Sequence, residues 1–438
     1  MIADRDVNNA TRRRTPLFAL YTSNAVSLIG DALMFLAIPW FVLQTTGSIT
    51  QTGLTAFFSL SAVAVSSLFG PAIVDRLGYL RASVFSDVAS MLGVALIPLL
   101  YRTVGLPFWA LLALVFVAGL LVAPGQTARS ALIPDLAQLA HVRLERASAV
   151  KDSVVRLSTF VGGPLAGALI VVAGTSNLLW IDAATFAFSA VVIGLLVPAR
   201  IPLHTTETAA GEAAAETTTV EFEVASAAPI GRIGRMIAGP REGIAFIWRE
   251  PVMRAIVLVA LTTNLLDAGQ SGVLAPAFVK QVYGNALIQG GMMAALGGAA
   301  LVGSMLFGAI GHKFPQRLTL GVGYTLGGAL RFFLIVGLAS TPALMIASQA
   351  VCGFFIGVVN PITSTAMYNR IPTAMRARVL GAITSLVTLG SPLGGLIAGL
   401  VAPLIGVEQT MLVFGEIYTC ATLSLLINPA TKALDQAK

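Results

Sequence analysis

The sequence predicts an all-α membrane protein, and three observations predict it. Of 438 residues, 56% are hydrophobic and only 11% are charged, against about 25% charged in a soluble domain. Mean hydropathy is +0.85. Apolar runs of about 20 residues, enough to cross a bilayer as helix, recur along the whole chain. They lack the period-two alternation of a membrane barrel's strands, and backbone groups in hydrocarbon must then be satisfied within helices.

Taken in order, the runs give twelve spans. The opening MIADRDVNNATRRR is polar, and the first run, 16–43, is too long for a signal-peptide core, so it is expected to be retained. Glycine, proline or charged breaks then separate 51–71, 82–101, 107–128, 153–174 and 177–197. The second set is 253–279, 286–310, 318–338, 342–363, 378–403 and 409–427.

The charges are distributed unevenly over the ends of these spans. Arg12, Arg13, Arg14, Arg76, Arg81, Arg143, Arg146, Lys151, Lys313, Arg317, Arg370, Arg376, Arg378, Lys432 and Lys438 fall on one side of this topology, and Arg102 and Lys280 on the other. Positive charge stays inside, so both termini are expected in the cytoplasm of a plasma (inner) membrane. The net charge of +7 thus reflects topology and implies no nucleic-acid partner. Cys352 and Cys420 lie within apolar spans and read as packing thiols. His141, His204 and His312 have no ligand spacing, so neither a metal site nor a cofactor is expected.

The longest polar interruption divides the chain into a first six-helix bundle (1–200), a cytoplasmic linker (201–251) and a second six-helix bundle (252–438). Within the linker, TTETAAGEAAAETTTVEFE is too polar to span and too poor in large apolar residues to pack. GRIGRMIAGPREGIAFIWRE mixes Arg with Ile, Met, Phe and Trp; it reads as a broken amphipathic helix on the bilayer surface or as a loop into span 7.

The two halves repeat one another. Asp31 precedes Pro39 and Gly47 in span 1 as Asp267 precedes Pro276 and Gly284 in span 7. Gly163-Pro164 of span 5 matches Ser391-Pro392 of span 11, and Ile-Pro recurs after spans 4 and 10. Three matches in one order indicate duplication.

Charged residues inside spans are Asp31, Asp87, Asp182, Asp267, Arg331 and Glu416. Each costs about 2.5–3.5 kcal/mol even on a lenient insertion scale, so each calls for a partner or a function. Arg331 and Glu416 both lie roughly 10 Å below the outer surface at 1.5 Å per residue, which predicts a structural ion pair. Asp87 and Asp182 lie nearer the two surfaces and read as structural, and Asp152 and Arg156 have i,i+4 spacing. Asn24, Asn264 and Gln270 stand near Asp31 or Asp267 and are candidate substrate contacts. Phe35, Trp40, Phe354 and Phe355 are candidate aromatic walls, unless they serve only packing. No phosphate-binding loop, zinc set or serine-hydrolase constellation occurs, which argues against ATP-driven transport and against an enzyme.

The loop GPAIVDRLGYLR, through Gly70, Asp75, Arg76, Gly78 and Arg81, resembles the cytoplasmic signature of the major facilitator superfamily. A degraded copy, GAIGHKFPQR, keeps Gly308, Lys313 and Arg317. Gly163, Pro164 and Gly167 resemble the Gly-Pro-x-x-Gly element of that superfamily's antiporters, with Pro392 as its counterpart. GDALMFLAIPWFVLQTTGS, IDAATFAFSA and REGIAFIWREPVMRAIV are similar to the macrolide-efflux and enterobactin-exporter group. The resemblance implies two pseudo-symmetric six-helix bundles, with spans 1, 4, 7 and 10 around a central cavity. It places Asp31 and Asp267 on cavity-lining helices and makes the loop and Gly-Pro residues the gating elements. A carboxylate in a low-dielectric cavity can bind a proton and release it when the cavity opens to water, so Asp31 and Asp267 are the candidate proton-coupling residues, unless Asp31 only accepts hydrogen bonds from neighbouring helices. It implies a monomeric secondary transporter in membrane lipid that exports an amphipathic small molecule, such as a drug, macrolide-like compound or siderophore, against protons. A lipid or lipid-precursor flippase on the same fold, and a non-transporting scaffold or sensor, are the alternatives. Span 4 departs from many proton-driven exporters in having no interior arginine, with Arg129 expected at its cytoplasmic end.

Overall fold

In a computed structural model that describes residues 2–198, 232–311, 314–372 and 375–434, the apolar runs all form helices. The first six are α1 (Ile2–Thr46), α2 (Ile49–Leu77), α3 (Tyr79–Thr103), α4 (Phe108–Leu139), α5 (Leu144–Ala173) and α6 (Thr175–Leu196). After α7 (Arg232–Arg249) come α8 (Pro251–Val282), α9 (Ala286–Ile310), α10 (Gln316–Gly337), α11 (Pro342–Arg370), α12 (Arg376–Ile405) and α13 (Val407–Ile427). All but α7 contain a stretch long and apolar enough to cross a membrane, twelve among the described residues. The Ala/Thr/Glu-rich part of the linker, His204, His312 and Lys313 lie outside the described residues.

Helix ends follow local chemistry. Ser48 and Asn285 accept from the backbone N–H groups of Gln51 and Leu287, capping α2 and α9. The preceding glycines, Gly47 and Gly284, take left-handed φ values of 68° and 63°, which a side chain would resist. These are the two glycines that the repeat aligns, so the duplication extends to turn geometry.

In the first half α1 packs on α5 and α6, and α3 on α4 and α6; in the second α9 packs on α11, and α8 on α12 and α13. Across the halves α2 meets α12 and α5 meets α9. Small residues permit both approaches. A Cβ on Gly53 would lie 2.5 Å from Gly399 Cα, and one on Gly167 would lie 2.8 Å from the Ala286 carbonyl. Lys280 Nζ also donates to the Leu43 carbonyl across the halves. These contacts lie towards the end of the bundle remote from the chain termini.

At the other end α7 lies against α12. Glu242 pairs with Arg378 at 2.5 Å, and Glu250 accepts from Arg370 at 3.2 Å and from the Met253 N–H at 2.6 Å, capping α8. The second part of the linker is therefore a helix docked on the second half.

Among the described residues two spans contain π turns, Gln270–Leu274 in α8 and Gly323–Ala329 in α10. Each widened turn changes the azimuth of the residues beyond it, and such turns are frequent at functional positions.

Candidate functional site

A cavity of about 460 Å³ lies at the middle of the bundle. Asp31, Phe35 and Pro39 of α1 line it with Thr55 and Ser59 of α2, Gln126 of α4, Asn264, Asp267 and Ser271 of α8, and Ser391 of α12. Most of the wall is apolar, through residues such as Met34, Ile38, Val63 and Val122. The two carboxylates that the repeat matches thus share one cavity, with Phe35 and Asn264 beside them.

Their surroundings differ. Asp267 accepts from Arg331 Nη2 of α10, and the Arg331 guanidinium also lies 5.3 Å from the Phe332 ring centroid. Arg331 is 6% exposed. Asp31 makes no ion pair among the described residues; Gln126 is within hydrogen-bonding reach of it.

The expected Arg331–Glu416 pair does not form. Equal depth fixes neither residue's azimuth: Glu416 points outward and is exposed on α13, while Arg331 comes after the π turn of α10 and turns inward to Asp267.

Arg129 is a second correction. It does not end span 4 at the surface, because α4 continues to Leu139 through Pro124 and Pro134. Arg129 is 6% exposed and bonds Asp87 of α3 at 2.7 Å, while Ser189 of α6 donates to the other Asp87 oxygen at 2.7 Å. Three helices are tied together by this cluster. Its signal in the sequence was Asp87 itself, a span carboxylate that needed a cation, but the prolines and the polar PGQTAR stretch read as a helix end.

The other candidates are spread over the bundle. Asn24 lines a second, smaller cavity of about 290 Å³ with Gln126, Arg129 and Lys151. Trp40 is 1% exposed in the core, and Gln270 is 5% exposed within the π turn of α8. Phe354 and Phe355 are half-buried and stack edge to face at 5.6 Å, outside the cavity wall. Gly70 is buried against Pro124, whereas Asp75, Arg76, Gly78 and Arg81 are exposed at the α2–α3 turn. Gly163 and Gly167 abut α9 at Met293 and Gly290, beside the half-buried Pro164; Pro392 is buried in α12. Cys352 is buried, Cys420 is exposed, and both are free thiols. Among the described residues no group of three or more His, Cys, Asp or Glu is placed to hold a metal ion.

Comparison with known proteins agrees with this architecture. The chain is 28% identical to the multidrug efflux pump Tap of Mycobacterium tuberculosis, over 97% of its own length and 96% of that protein. It is 22% identical to macrolide efflux protein A of Streptococcus pyogenes, over 95% and 96%. Among solved structures, a mutant of the nucleoside transporter NupG superposes with a TM-score of 0.74 at 12% identity, covering 94% of this chain and 99% of that one. A POT family transporter superposes at 0.66 with 16% identity, covering 94% and 95%. A model of the Major Facilitator Superfamily matches residues 20–395 and 271–438, and the chain, a multi-pass membrane transporter and not an enzyme, belongs to that superfamily.

Proposed function

We propose that the protein exports amphipathic small molecules in exchange for protons, by alternating access, with Asp31 as the proton-binding group. The observation that carries this is the inequality of the two cavity carboxylates: Asp267 has a direct arginine partner and Asp31 has none. Arg129 acts on Asp31 only through space and is itself bound to Asp87; a carboxylate in a membrane-embedded cavity without a direct ion-pair partner can take up a proton and release it when water reaches it. A proton or a polar substrate group then competes for the same place. The volume of the cavity is in the range of drug-sized sites, and its wall suits apolar substrates with a few polar groups. The efflux pumps among its relatives support export and a drug-like substrate.

With the basic residues facing the cytoplasm, both termini lie on the cytoplasmic side of the plasma membrane, and the α2–α12 and α5–α9 contacts close the outer end. The bundles 1–200 and 252–438 then rock about the central cavity, as in other transporters built from repeats. The Gly163-Pro164-x-x-Gly167 approach to α9 and the exposed Asp75–Arg81 turn are the moving contacts. The working unit is a single chain in lipid.

The test is accumulation of an amphipathic dye by proteoliposomes under an imposed pH gradient. Asp31→Asn should abolish gradient-driven accumulation while leaving dye exchange without a gradient intact. Full gradient-driven accumulation by Asp31→Asn removes Asp31 from the mechanism.

A further inference from the structure

Four aspartates are embedded in the described spans, and they divide into two kinds. Asp87 is bound to Arg129 and Ser189, and Asp267 to Arg331. Asp31 and Asp182 form no ion pair among the described residues, although Arg129, bound to Asp87, also acts on Asp31 through space. Asp182 of α6 is 1% exposed, its Oδ2 has no hydrogen-bond partner, and its Oδ1 receives only a 3.4 Å bond from Thr185. An ionised carboxylate so enclosed is costly, and no cation offsets it.

Its position is more informative. Asp182 packs on α1 at Gly30, where an added Cβ would lie 2.4 Å from Asp182 Oδ1. Gly30 immediately precedes Asp31, and the two carboxyls are within electrostatic reach of one another. Asp31 fronts the cavity, while Asp182 lies behind it and is absent from the wall. The other charged groups near α6 are engaged elsewhere. On α3, Asp87 holds Arg129, and Arg102 donates to Asn177 at 2.5 Å in the first turn of α6, five residues before Asp182. The charges of α5, from Glu145 to Arg156, all lie in its first half.

We propose that Asp182 is a second protonatable carboxyl of the transport cycle, exchanging a proton with Asp31 past Gly30. In the transfer the O–H bond of one carboxyl breaks and that of the other forms, and nothing is oxidised or reduced. Because two adjacent carboxylates resist simultaneous ionisation, loss of a proton from one favours retention by the other. Glycine at position 30 is what leaves room for the approach. This inference rests on the proton-coupled reading above.

The test measures the proton-to-substrate ratio, from the pH gradient at which net dye flux reverses. Asp182→Asn, which mimics the protonated acid, should transport with a smaller ratio than wild type. An unchanged ratio overturns the role of Asp182 and leaves that of Asp31 standing. If neither Asp31→Asn nor Asp182→Asn changes the gradient dependence, the proton-coupled reading itself fails. Should Asp182→Asn not fold, infrared difference spectra of Asp31→Asn with and without dye decide the matter. A protonated-carboxyl band that persists and shifts on dye binding is expected, since Asp87 and Asp267 are arginine-bound. Its absence overturns the proposal.

Discussion

The two halves place an aspartate at matching positions of their first helices and treat it in opposite ways. In the second half Arg331 reaches from α10 to Asp267, and the carboxylate is compensated on the spot. In the first half the buried arginine, Arg129 of α4, is held by Asp87, whose other oxygen accepts from Ser189, and Asp31 is left facing the cavity without an ion-pair partner. Duplication thus supplied one scaffold twice, and the arginine position decides what each copy can do. A locked pair gives structure, while an unlocked carboxylate can change its charge during a cycle.

The largest expected effect comes from breaking the lock. Asp267→Ala leaves Arg331 buried without its partner, which should cost about 3–5 kcal/mol, seen as a fall in the thermal unfolding midpoint in detergent. Removing both charges, in Asp267→Asn with Arg331→Gln, should recover most of that loss. If the single and double variants are equally unstable, the pair is not what holds α8 to α10.

Asp31 should behave the other way. Asp31→Asn removes a carboxylate with no ion-pair partner, so its stability should stay within about 1 kcal/mol of wild type while gradient-driven accumulation is lost. Measured on one preparation, the two aspartates then separate cleanly: one variant fails in unfolding assays, the other only in coupling. A stability loss for Asp31→Asn equal to that of Asp267→Ala would erase the contrast.

An intermediate effect belongs to the contacts that the halves share. Gly167→Val puts atoms where the Ala286 carbonyl and Gly290 already stand, and such overpacking costs about 1–3 kcal/mol. That cost falls on the state in which α5 and α9 touch. A cysteine introduced near the outer end of α9 should therefore label faster in Gly167→Val than in wild type, and transport should slow. Unchanged labelling would mean that α5 and α9 do not separate in the cycle.

These contrasts were only half legible in the sequence. The twelve spans, the duplication and the pairing of Asp31 with Asp267 all come from periodicity and spacing, because helix length and burial of polar groups are set locally by the bilayer. The partners of the charges could not be read in this way. Depth along a helix can be counted at 1.5 Å per residue, but azimuth cannot be counted across a π turn. The turn at Gly323–Ala329 therefore misdirected Arg331 towards Glu416. Prolines inside α4 hid Arg129 for a related reason: neighbouring helices tolerate in a membrane bundle what would end a soluble helix. Gln270, a candidate for its proximity to Asp267 in sequence, and Trp40, a candidate aromatic wall, are both buried in the core.

The smallest effect is expected at Glu416, and it tests the same comparison from its quiet side. Equal depth made Glu416 a plausible partner for Arg331, yet its side chain is exposed on α13 and Arg331 is occupied. Glu416→Gln removes a charge that no described residue compensates. Stability should change by no more than about 0.5 kcal/mol, and transport should be unaltered across the pH gradient. A loss approaching that of Asp267→Ala would place Glu416 back in the charge network of the second half. Unchanged stability leaves Asp267 as the sole acidic partner of Arg331 among the described residues, which is the condition that makes the two halves unequal.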